Sequence, residues 1–164
     1  MNTIRALSLL AATLTMGLAT GAFALYAHTI MPGLKKTDDR AFVAAFQSMD
    51  RAIINPWFML TAFLGALVFT LAAVLANIGR DPLPWVAVAL GLYLVAVVIT
   101  FAVNVPLNDA LKAAGDPDRI HDLAAVRERF DEARWATFNL VRTVASAGAF
   151  ASLMWALVVY GRMT

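Results

Sequence analysis

A bundle of four membrane-spanning helices, joined by amphipathic and polar helical connections, is the all-α fold that this chain predicts. Two observations carry it. Hydrophobic residues make up 61% of the 164 positions and charged residues only 15%, where soluble domains carry about a quarter charged. The apolar residues are also gathered into four long runs, each long enough to cross a hydrocarbon core about 30 Å thick. One membrane domain over residues 1–164 accounts for the whole chain.

The first span covers about residues 5–31, with no Asp, Glu, Lys or Arg between Arg5 and Lys35. A secretory leader competes, with Arg5 as its basic start and Ala22-Phe23-Ala24 as a cleavage site. The apolar run outlasts the core of a usual leader, so a spanning helix is the better reading. Gly17, Gly21, Ala24 and His28 share one face, whose small residues suit close helix packing. Pro32-Gly33 then breaks the helix and opens a polar connection over 32–55.

Within that connection Phe42, Phe46, Met49 and Ile53 recur at helical spacing, so residues 38–54 read as an amphipathic helix. Asp38, Asp39, Arg40, Gln47, Asp50 and Arg51 are assigned to its polar side. Asn55-Pro56 is an N-cap followed by Pro at the first helical position, which starts the second span, about 56–78. The tight turn Gly79 to Pro84 returns the chain into a third span, about 84–105. A second polar connection, 106–134, should hold a short helix ending by Gly115 and another capped by Asp116-Pro117. Leu123, Val126 and Phe130 give the latter an apolar face, and with no Gly or Pro following it is expected to run straight into the fourth span, about 135–160.

The halves share an order: helix, Pro break, amphipathic segment with an Asp-Arg pair, Asn, helix. Pro32, Asp39-Arg40 and Asn55 parallel Pro106, Asp118-Arg119 and Asn139. Such halves would be related about the membrane normal, with a natural site between them. Nine Lys and Arg lie in the two connections against Arg5, Arg80 and Arg162 on the terminal side. The positive-inside rule therefore puts the connections in the cytoplasm and the termini outside.

The composition excludes several chemistries. Without cysteine there is no disulfide, iron–sulfur cluster or thiolate zinc site. A net charge of +2 with no basic run excludes nucleic acid as a partner. The partners expected are the bilayer and a lipophilic small molecule, with homo-oligomerisation left open.

Polar residues in apolar surroundings mark the candidate site, because a membrane protein keeps them only paired, wetted or used. Asn104, Asn108 and Asp109 close the third span, and Trp135, Asn139, Arg142 and Ser146 form one helical stripe in the fourth. Arg142 sits too deep to reach the headgroups. One reading ties it to Asp109 or a backbone carbonyl, merely locking the helices together. In the other, Arg142 and the three asparagines form a polar floor under an apolar pocket, suited to an oxyanion on a flat, greasy ligand. Trp135, Trp57 and Phe138 are candidate walls, although aromatics at span ends also serve as interfacial anchors. His28 stands as a candidate general base, as a possible haem ligand, or as a residue that bonds a backbone carbonyl or faces the headgroups. No metal motif is present, and neither metal nor cofactor is predicted.

The segments Phe101-Ala102-Val103-Asn104-Val105-Pro106-Leu107-Asn108-Asp109-Ala110-Leu111, Arg134-Trp135 and Asn139-Leu140-Val141-Arg142-Thr143 resemble the anthrone-oxygenase-like membrane protein family. Met31-Pro32-Gly33-Leu34 and Ile54-Asn55-Pro56 fit its pattern in the first half. The chain departs from it at Leu140 and Phe138, where His and a second Trp are common. The resemblance implies oxidation of an anthrone to a quinone by O2, with no established cofactor requirement. It also implies a site from Asn104, Asn108, Asp109, Trp135, Asn139 and Arg142, with Asp109 or His28 as the base. Two further readings stand beside it: a non-catalytic binder or scaffold, and a small haem or quinone protein.

Overall fold

The computed structural model describes residues 2–163, and no strand occurs among them. Helix α1 spans Thr3–Leu34 and α2, on the connection, Asp39–Ile53. Helices α3 (Pro56–Ala76) and α4 (Leu83–Ala113) make a hairpin, α5 is Leu123–Phe130, and α6 is Glu132–Gly161. Four helices are long and apolar enough to cross a membrane, as the apolar runs require. Around the bundle α1 touches α3 and α6, and α4 touches α6 closely and α3 less extensively.

The bundle core interleaves small and large residues. Ala12, Ala19, Ala66, Ala73, Ala89, Ala96, Ala149 and Ala156 alternate with Leu9, Met16, Phe63, Tyr93 and Leu153. In lipid, helices gain little from hydrophobic burial, so close approach over small residues and satisfied polar groups carry the packing. The Tyr93 hydroxyl, for example, donates to the Phe63 carbonyl at 2.8 Å. At the terminal end Arg5 donates to the Ala76 carbonyl at 3.0 Å, tying α1 to the end of α3.

Above the bundle a second apolar cluster forms a cap. Phe42, Val43 and Phe46 of α2 meet Leu111 of α4, Phe130 of α5 and Trp135 of α6. Polar ties hold it. Asp38 caps α2 by accepting from the Ala41 N–H at 2.8 Å. Arg127 stacks 4.3 Å from the centre of the Phe42 ring and pairs with Asp39 at 3.1 Å. Arg40 joins Asp118 across the two connections, so the Asp-Arg motifs of the halves meet in space.

The structure departs from expectation at four places. Neither Pro32 nor Pro106 ends its helix, and α1 and α4 continue to Leu34 and Ala113. A proline in a helix clashes with the carbonyl four residues back, and here a π-turn stands directly before each. It covers Tyr26–Ile30 in α1 and Thr100–Asn104 in α4, and it closes through Met31 N–H to the Tyr26 carbonyl and Val105 N–H to the Thr100 carbonyl. The wider turn moves the local bonding to five-residue spacing and accommodates the ring. Asp116-Pro117 forms a turn rather than a cap, with Arg119 N–H on the Asp116 carbonyl, and the helix begins seven residues later at Leu123 under Asp122. The fourth span does not run on from α5, because Asp131 adopts a left-handed conformation with φ 52° between the helices and caps α6. Asp tolerates that conformation better than most residues, so no glycine was needed. Finally, the small-residue face of α1 is only partly used: Gly17 lies against Phe150, while Gly21 faces open space.

Candidate functional site

A cavity of about 280 Å³ lies between bundle and cap, at the small end of ligand pockets. Five helices line it: Phe23 and Tyr26 from α1, Phe46 and Asp50 from α2, Phe58, Met59 and Phe63 from α3, Thr100, Phe101, Asn104 and Asn108 from α4, Trp135 and Arg142 from α6. A third π-turn, Met59–Phe63 in α3, lies at this level too. Tyr26, Met59, Phe63, Thr100, Phe101 and Asn104 all stand on π-turns. Each such turn spreads its helix over an extra residue, and π-turns of this kind recur at functional sites. The α3 turn has a local requirement. A Cβ on Gly65 would come within 2.2 Å of the Leu60 carbonyl oxygen, so only glycine fits after it.

Arg142 is buried (7% exposed). Its Nε and Nη2 donate to Asn139 Oδ1 at 3.0 and 2.9 Å, and Nη1 donates to Thr100 Oγ1 at 3.0 Å. Its carbon lies 4.3 Å from the Phe23 ring centre and 5.5 Å from that of Trp135. Among the described residues no carboxylate pairs with it. The alternative tie to Asp109 is therefore not made. With five N–H donors and two neutral acceptors, the guanidinium keeps both charge and donor capacity for something else in the cavity.

The carboxylate of the cavity is Asp50, at 7% exposed. Asn108 Nδ2 donates to Asp50 Oδ1 at 2.6 Å, and the Trp135 indole N–H donates to Asn108 Oδ1 at 2.7 Å. Lys112 lies 2.7 Å from Asp50 Oδ2 and 3.0 Å from Asp109 Oδ1. Asn104 is fully buried; its Nδ2 donates to the Trp135 carbonyl at 3.3 Å, while its Oδ1 has no protein partner. Asn104 lines the cavity, with that oxygen itself buried.

Asn104, Asn108, Trp135 and Arg142 thus line one cavity. Asn139 stands behind them, fully buried, donating to the Phe23 carbonyl at 3.2 Å and holding Arg142. Asp109 and His28 are elsewhere. The Asp109 side chain is 61% exposed beside Lys112, and His28 is exposed, bonded to Thr29 at 2.6 Å. Trp57 (67% exposed) and Phe138 are not among the walls, where Trp135 is joined by Phe23, Tyr26, Phe46, Phe58, Phe63 and Phe101.

Asp50 is the site residue that sequence reasoning missed. With Gln47 it was assigned to the polar side of α2, apart from the apolar face, yet both are buried. Gln47 donates to the carbonyls of Leu111 and Gly115 at 2.9 and 3.0 Å. The signal was the spacing: Asp50 follows Phe42 and Phe46 at i+8 and i+4, on the inward face.

The sequence model of the anthrone oxygenase family matches residues 42–152, well over half of the chain. The chain belongs to that family. The matched segment of this anthrone oxygenase family protein contains Asp50, Asn104, Asn108, Trp135, Asn139 and Arg142, but not the Phe23 and Tyr26 wall. No curated protein and no solved structure matches the chain. Leu140, one departure from the family pattern, is 55% exposed and away from the cavity. A histidine there would not reach this site without rearrangement. Among the described residues no three His, Asp or Glu are grouped to hold a metal.

Proposed function

We propose that this protein oxidises a flat, lipophilic phenolic substrate of the anthrone type with O2, without a cofactor. The observation that carries the reading is Arg142, a buried cation against an aromatic-walled cavity with no carboxylate partner. In an apolar site, such a cation stabilises negative charge developing on a substrate oxygen far more than it would in water.

The reaction needs one proton taken from the activated CH2 carbon. Asp50 is the base, since it is the carboxylate in the cavity, and Asn108 fixes the orientation of its Oδ1. The electron pair delocalises onto the substrate's carbonyl oxygen, which the Arg142 guanidinium receives. The carbanion passes one electron to O2, and the resulting radical and superoxide combine into a peroxide. That peroxide takes back the proton from Asp50 and loses water, leaving C=O where CH2 was. Overall one CH2 and one O2 become one C=O and one H2O. The cap side is assigned to the cytoplasm on the charge distribution of the connections.

Quinone formation and oxygen uptake with dihydroxyanthrone test this in purified protein. Asp50→Asn and Arg142→Met should each lower turnover by about a hundredfold or more. Both variants turning over like the parent while folded would remove the reading. A binding protein instead would take up the anthrone and its quinone alike without oxygen consumption.

A further inference from the structure

The cavity's polar and apolar residues are unevenly placed. Asp50, Thr100, Asn104 and Arg142 are all buried, at 8% exposure or less. The lining residues most open to the surroundings are Ile54 (61%), just before α3, and Phe101 (58%) on α4. Phe58, Met59 and Val105 are partly open beside them, as are Ala22, Tyr26, Ile53 and Asn108 elsewhere on the wall. The start of α3 and the cap-side end of α4 are also where the bundle is loosest. Helices α3 and α4 pack against each other in their lower halves, whereas their π-turns are not extensively joined. The edge-on contact of Phe63 with Phe101, centroids 5.9 Å apart, marks the lower limit of the gap. The corresponding gap between α6 and α1 is filled, with Tyr26 against Trp135 at 5.8 Å and Arg142 over Phe23.

We infer that the cavity is loaded sideways from the bilayer, through the seam between α3 and α4, and that its ligand is an uncharged aromatic molecule dissolved in the membrane. The open residues of the seam, Ile54, Phe58, Met59, Phe101 and Val105, are all apolar, and a charge drawn past them would lose its hydration with nothing in exchange. The ligand enters oxygen-bearing end first and reaches Asn104 and Arg142 at the inner end. The inference rests on the oxidase reading for the ligand's chemistry but not on turnover, so its test reads binding alone.

The chain has no cysteine, which makes single introduced thiols unambiguous. Phe101→Cys and, separately, Ile54→Cys are labelled with a pyrene maleimide in lipid nanodiscs, with Val144→Cys on the lipid side of α6 and Ser48→Cys on the outer face of α2 as controls; both control positions are exposed. Rapid mixing with dihydroxyanthraquinone is followed by quenching of tryptophan emission. Adducts at 101 and 54 should slow association by about tenfold or more, with those at 144 and 48 within about twofold of unlabelled protein. A water-soluble anthraquinone sulfonate should associate far more slowly than the neutral probe. Unchanged association with both seam adducts, a slowing seen only with the adduct at 48, or a sulfonate as fast as the neutral probe would overturn lateral loading. Oxygen uptake failing while the neutral probe still binds through the seam would sink the oxidase reading and leave this inference standing. No quenching by unlabelled protein would sink both.

Discussion

Asn108 gives its amide N–H to the Asp50 carboxylate at 2.6 Å, and its own carbonyl takes the Trp135 indole N–H at 2.7 Å. One side chain thus links α2, α4 and α6 and leaves itself no rotamer freedom. Replacing Asn108 by Leu strands both partners in a largely buried place. The expected loss is about 1–3 kcal/mol for each group left unpaired, read as a lower thermal midpoint in detergent. A midpoint equal to the parent's would show that the bridge does not hold the cap.

Lys112 sits between a buried and an exposed carboxylate, 2.7 Å from Asp50 and 3.0 Å from Asp109. Lys112→Met leaves Asp50 without its cation and should destabilise by about 3 kcal/mol, less in proportion to Lys112's own partial exposure. Asp109→Asn removes only a surface pair and should cost no more than about 1 kcal/mol. Chemical denaturation of the two variants side by side decides it, and equal losses would contradict the assignment of Asp50 as the buried partner.

Arg142→Met is read separately on stability and on turnover. The guanidinium is desolvated against neutral acceptors and ring faces, so Met relieves that cost but leaves the buried Asn139 Oδ1 without its donor, and stability should fall by no more than about 1–3 kcal/mol. Turnover should fall by about a hundredfold or more. A folded Arg142→Met protein with the parent's turnover would make Arg142 a structural lock and not a ligand-facing group.

Gly65→Ala places a Cβ on the Leu60 carbonyl oxygen. It should cost about 1–3 kcal/mol through overpacking and weaken quinone-probe binding, since Met59 and Phe63 stand on the same π-turn. Gly21→Ala, facing open space in α1, serves as the matched control and should be neutral or slightly stabilising. Loss of probe binding in both variants would point away from the turn.

The spans and the cap helix α2 were legible because each rests on a local rule: apolar runs of crossing length, and Asp38 and Asn55 as caps. Asn104, Asn108, Trp135 and Arg142 were legible because polar groups in apolar runs carry a cost that needs an explanation. The π-turns were not, since Met59–Phe63 has no proline after it and depends on Gly65, which also reads as ordinary small-residue packing. Proline was read by its rule for soluble helices, whereas in α1 and α4 the turn ahead of it absorbs the clash. Asp50 was misplaced by residue type despite a helical spacing that pointed inward. Nothing local reveals that Asp109, one residue after Asn108, faces away from the cavity; that depends on α4 continuing as a helix past Pro106.

The three π-turns have a consequence for how the spans tolerate change in length. Each amounts to an inserted residue that its helix absorbed without ending. Deleting one residue within 26–30, 59–63 or 100–104 would restore α-helical bonding there and leave the halves on either side close to their present register, where the same deletion in a regular turn would swing one half by about 100°. The membrane-deep half of each span and its cap-side half are therefore registered independently. Single-residue insertions and deletions at this one depth are a route by which the chamber can be reshaped while the packing beneath it stays in step.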